Sequence, residues 1–99
     1  MANYTRALVR LLILQALYKS NGYTKHQAQL LKDLAAGGYM LSRDDMHLEL
    51  SWLENADAIV LQITGGVYIA TLSFDGQEVV EQARTIPGID RPSAPTVRQ

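Results

Sequence analysis

A chain of 99 residues, 47% of them hydrophobic and none of them cysteine, holds one small globular domain and can form neither a disulfide frame nor a thiolate metal site. The apolar run Leu11–Leu14, bounded by Arg10 and Gln15, is far short of the ~20 residues that span a bilayer, so a cytoplasmic chain with no membrane contact is expected. The net charge of -1 conceals a split: residues 1–32 carry five cations and no acid, whereas residues 33–90 carry all ten acids against Arg43 and Arg84. Such a split marks a partner-facing surface, a head-to-tail self-association, or solvated faces that happen to segregate.

Residues 3–20 contain no helix breaker and end at Asn21-Gly22, a helix stop. At about 100° per residue, Tyr4, Ala7, Leu11, Leu14 and Tyr18 share one face. The rest of this first helix is apolar as well: Ile13 and Leu17 fall among Arg6 and Arg10 on the far side, and Leu8 and Leu12 flank Lys19 and Gln15. A domain of this size is not expected to cover both sides of a terminal helix. Arg6, Leu8, Val9, Leu12, Ile13 and Leu17 are therefore assigned to a homodimer interface, with Arg6 and Arg10 facing water or the second copy's residues 75–81.

Thr24, with Gln27 three residues on, has the spacing of a capping box and starts the second helix, whose buried stripe is Leu30, Leu31 and Leu34. Gly37-Gly38 stop it, and Tyr39-Met40-Leu41 form a connector able to pair as a short strand. Ser42 caps a third helix that runs to Asn55, with Asp45 in the reciprocal position and Met46, Leu50 and Leu53 on its core face. Residues 58–63 and 67–73 read as two strands joined by the turn 64–66. Ser73 caps a last helix, residues 74–84, with Val79, Val80 and Ala83 inward. From Thr85 three prolines and a glycine in fifteen residues suggest an extended arm, so the domain is drawn at 1–84 and the arm at 85–99.

This is a mainly α chain with a small β-hairpin, in the α-α-α-β-β-α order of a winged helix-turn-helix. "LSRDDMHLELSWLENADAIVL" resembles the helix-then-strand stretch of bacterial winged-helix regulators, in which a Leu-Glu pair, here Leu53-Glu54, closes the third helix. "LSFDGQEVVEQA" is similar to the "LT..G.EVA" stretch that follows the wing, and "IPGIDRP" resembles the "VPGV.RP" ending of small winged-helix proteins of Mu-like bacteriophages and prophages, often labelled as regulators of the arsenic-repressor type. The resemblance covers residues 5–92 and implies a phage or prophage winged-helix protein that binds DNA as a transcription regulator in the host bacterial cytoplasm. With no cysteine, soft-metal sensing is not expected of it.

If double-stranded DNA is the ligand, Arg43, His47 and Ser51 would read bases, while Lys25, His26, Gln27 and Lys32 near the second helix, with Arg91 and Arg98 in the arm, would meet phosphates. Asp44, Asp45, Glu49 and Glu54 oppose this by like-charge repulsion. Leu48 and Trp52, four residues apart and away from the core stripe, fit a protein contact, unless Trp52 folds under the wing. The alternative function is thus a protein-interaction module without strong DNA binding. No phosphate loop, nucleophile elbow or paired-histidine motif is present, and Asp44, His47 and Glu49 lack a further ligand on one face, so neither an enzyme nor a metal or other cofactor is expected.

Overall fold

The computed structural model describes residues 5–92. Helix α1 spans Arg6–Tyr18, a 3-10 turn Asn21–Tyr23 leads into strand β1, Thr24–His26, and α2 covers Gln27–Ala36. Helix α3 is Arg43–Asn55, the hairpin strands are β2, Ile59–Thr64, and β3, Val67–Leu72, and α4 is Phe74–Val80. Every α-helix begins at a side chain that accepts a backbone N–H: Thr5 from Leu8, His26 from Gln29, Ser42 from Asp45 and Ser73 from Gly76. Each such cap satisfies one of the donors that a helix start leaves without an intrahelical partner, worth about 1 kcal/mol.

The architecture is four helices and a three-stranded antiparallel sheet of order β1-β3-β2. The third strand is a departure from the expected two-stranded hairpin. Thr24 is extended and pairs with Thr71 of β3, their hydroxyls 2.9 Å apart, and His26 rather than Thr24 caps α2. The capping-box spacing was therefore coincidental, because a β-branched threonine opposite another on a sheet is favoured more than at that helix start. Tyr39–Leu41 forms no strand. Gly76 sits where α4 meets the start of β2: a Cβ there would lie 2.2 Å from the Ala58 carbonyl oxygen, so only glycine permits this approach. Ala83, expected inward, lies beyond α4 and is exposed.

The core is centred on α1, which packs against α2, α3, β3 and α4. Val9, Leu11, Ile13, Leu14 and Leu17 are all buried within the single chain. At about 1.5–3 kcal/mol per buried aliphatic side chain, this one helix contributes on the order of 10 kcal/mol. The assignment of these six residues to an interface is corrected accordingly: Val9, Ile13 and Leu17 have no surface to offer a second copy, Leu8 and Leu12 are half-buried, and only Arg6 of the six is exposed. An all-round apolar helix is here the middle of a small domain.

The remaining side of α1 is covered by the segment expected to be an arm. Ile89 is buried in the core, the Asp90 N–H donates to the Ala7 carbonyl at 3.1 Å, and Arg10 Nη1 donates to the Gly88 carbonyl at 3.0 Å. Residues 86–90 thus form a strap over α1 and α3, which places the expected boundary at Thr85 inside the packed structure. Tyr4, Arg98 and the rest of 93–99 lie outside the described residues.

Candidate functional site

The outer row of α3 runs Asp44, Leu48, Ser51, Asn55, at the i, i+4, i+7, i+11 spacing of one helix face, and all four are exposed. Opposite it, Met46, Leu50 and Leu53 are fully buried, as expected. The row is flanked on both sides. On one flank His47 stacks on Tyr68 of β3, with ring centroids 4.0 Å apart and planes within 10°, and its Nε2–H donates to Gln27 Oε1 at the start of α2. Glu54 on the same flank accepts the Leu61 N–H from the open edge of β2 at 3.0 Å. These contacts join α2, α3 and the hairpin.

The other flank is the strap. Trp52 lies beneath Arg10, whose Cζ is 3.9 Å from the indole ring centroid, and against Gly88, where a Cβ would come within 2.5 Å of the indole. Trp52 therefore folds under the C-terminal strap, away from the hairpin. Glu49 is only 4% exposed and holds two cations, Arg10 Nε at 2.6 Å and Arg6 Nη1 at 3.3 Å. Arg10 is consequently satisfied inside its own chain, Arg6 touches Glu49 while most of its side chain faces water, as one of its two expectations had it, and the buried Glu49 is not among the acids facing a ligand.

The charge split seen in the sequence closes on itself in the same way. Lys25 pairs with Asp33, which also accepts from Gln29 Nε2 at 2.9 Å. Partial burial pushes the Asp33 carboxyl up, but hydrogen bonds from Lys25 and Gln29 and the charges of Lys25 and Lys32 outweigh it and hold the pKa below the ordinary aspartate value. Arg84 pairs with Asp75 and Glu78.

The residues assigned to DNA separate into two groups. Lys25 is half-buried in its ion pair, Gln27 is 6% exposed, and His47 is stacked and hydrogen-bonded, so these three are already engaged in joining elements of the fold. His26, Lys32, Arg43, Ser51 and Arg91 are exposed. A groove of about 550 Å³ brings His26 and Arg43 together, lined also by Gln27, Ala28, Leu31 and Val67. The face of α3 itself carries Asp44, Asp45 and Glu54 against Arg43, and residues 58–73 of the hairpin contain no charged side chain.

Two apolar side chains on this face are turned to water: Leu48 and Ile63, each 57% exposed. Ile63 was missed in the sequence because alternation places it on the core side of β2, with Ile59 and Leu61. Its cross-strand neighbour is Tyr68, the ring that stacks on His47, but at the hairpin end no helix covers it. Among the described residues, no group of His, Cys, Asp and Glu is arranged to hold a metal ion, and no helix is long and apolar enough to cross a membrane.

Neither a family model nor a solved structure matches the chain. The uncharacterized protein gp26 of Escherichia phage Mu is similar to it, 32% identical over 84 residues that cover 84% of this chain and 85% of the relative. The relationship to Mu-like phage proteins suggested by the "IPGIDRP" ending thus has support over most of the chain's length, and the chain belongs to the family of phage Mu gp26.

Proposed function

We propose that the protein is a winged-helix module that works by protein contact through α3 and the hairpin, its wing, and not by reading DNA bases with α3. The observation that carries this reading is the composition of that face: an exposed row with Leu48 and Ile63 presented beside Asp44, Asp45 and Glu54, next to a wing without a single cation. Protein–DNA affinity comes mostly from lysines and arginines that release counterions from phosphates. Here Arg6, Arg10, Lys25 and Arg84 are engaged within the chain, and the face nearest the would-be duplex is net negative. The wider setting this reading implies is the cytoplasm of a phage-bearing bacterium, with no catalytic role.

A second reading, a DNA-binding transcription regulator of the arsenic-repressor type, is favoured by one observation: His26 and Arg43 border the groove at the start of α2, with Lys32 exposed further along that helix. Titration of a mixed-sequence duplex against salt separates the two. The protein-contact reading expects no saturable binding at about 50 mM salt. Binding that weakens with a log–log slope near -3 or steeper, roughly 0.9 per neutralised phosphate, would overturn it in favour of the regulator.

A further inference from the structure

Resting on the protein-contact reading, we propose that the α3–hairpin face docks a cationic amphipathic segment of a partner protein. The segment's apolar side chains cover Leu48 and Ile63, and its Lys or Arg side chains meet Asp44, Asp45 and Glu54. The row from Asp44 to Asn55 is about 16 Å long, the length of three helical turns, and Ser51 at its middle leaves room for close approach. One side of the row is bounded by the hairpin, held by His47–Tyr68 and Glu54–Leu61, and the other by the strap over Trp52. Apolar anchors beside three carboxylates, against the single exposed arginine of α3, Arg43, favour a partner of opposite sign, by steering its approach and by rejecting anionic competitors.

The charge requirement also argues against a second copy of the chain as occupant. Arg6 and Arg10 are held by Glu49, Lys25 by Asp33 and Arg84 by Glu78, and the described lysines and arginines left exposed, Lys19, Lys32, Arg43 and Arg91, lie at the end of α1, on α2, on α3 and after the strap, not along one helix or strand.

Trp52, the only tryptophan, borders the face and supplies the readout in the intact protein. The probe is a tryptophan-free helical peptide with leucines on one side and lysines on the other, compared with versions in which glutamine or glutamate replaces every lysine. The lysine peptide is expected to saturate the change in Trp52 emission and to shift the amide resonances of residues 44–55 and 61–63. Its affinity should fall about tenfold in the triple variant Asp44→Asn, Asp45→Asn, Glu54→Gln, and again in Leu48→Ala with Ile63→Ala. Glutamine at 54 keeps an acceptor for the Leu61 N–H, and circular dichroism of each variant confirms the fold. Equal affinity for the glutamine peptide at the same residues would overturn the cationic partner while leaving a protein-contact face. Shifts produced by duplex DNA and by no peptide would overturn both. Lysine-peptide shifts located elsewhere on the molecule would overturn the docking site.

Discussion

Helices α1 and α3 have thirteen residues each and opposite fates. In α1 five aliphatic side chains are buried and the arginines are drawn across to Glu49, so nearly every face is spoken for by the rest of the chain. In α3 the core face is three residues wide, and the outer row is left to solvent between two flanking supports. Apolar content does not by itself locate an interface in so small a domain. The more hydrophobic helix is the scaffold, and the more polar one leaves Leu48 among acids and open to solvent.

A cavity in α1 should harm the fold most. Ile13→Ala is expected to cost about 2–5 kcal/mol in chemical denaturation, since the site is fully enclosed by one chain. A loss that depends on protein concentration would instead restore the dimer interface. Next is Glu49→Ala, which strands Arg10 with its side chain 12% exposed and should cost about 3 kcal/mol. Gly88→Val drives a side chain into Trp52 at a positive φ of 95° and is expected to loosen the strap by about 1–3 kcal/mol, with a red shift of Trp52 emission as water reaches the ring.

A smaller effect is set by pH. The pKa of Asp33 is lower in the folded than in the unfolded chain, so its pairing with Lys25 stabilises the fold above the unfolded aspartate value and is lost as pH falls through the folded one. Asp33→Asn should flatten the acid side of the stability profile below about pH 4 while changing stability at pH 7 by less than about 1 kcal/mol. The smallest effect on stability is Leu48→Ala, expected within about 0.5 kcal/mol of the parent because the side chain covers nothing in its own fold. A larger loss would make Leu48 part of the scaffold and remove it from the docking face.

Much of the chain order was legible residue by residue. Ser42 and Ser73 announce their helices through side-chain oxygens that cap N–H groups three residues on, and Met46, Leu50 and Leu53 mark the inner stripe of α3 through helical spacing alone. The hairpin follows from β-branched runs around Gly65-Gly66. Thr24 misled because a capping-box spacing and a strand residue look alike until the partner, Thr71, is known to be opposite. The proline-rich end misled for a related reason. Proline disfavours helix but not packing, and Gly88 is what lets this segment lie flat on Trp52. What the sequence did not show is that two of the candidate residues meet each other: His47 and Gln27 are twenty positions apart and nothing in either neighbourhood signals their contact.

Local chemistry written into the sequence determined the Ser42 and Ser73 caps, the hairpin turn, the apolar periods and the charge inventory, because each depends on residues within a turn or a strand pair of one another. Only the tertiary structure decided which charges remain for a partner. Arg6, Arg10 and Glu49, or Lys25 and Asp33, neutralise one another through space, and a Coulomb pair is defined by distance in the fold and not by distance along the chain.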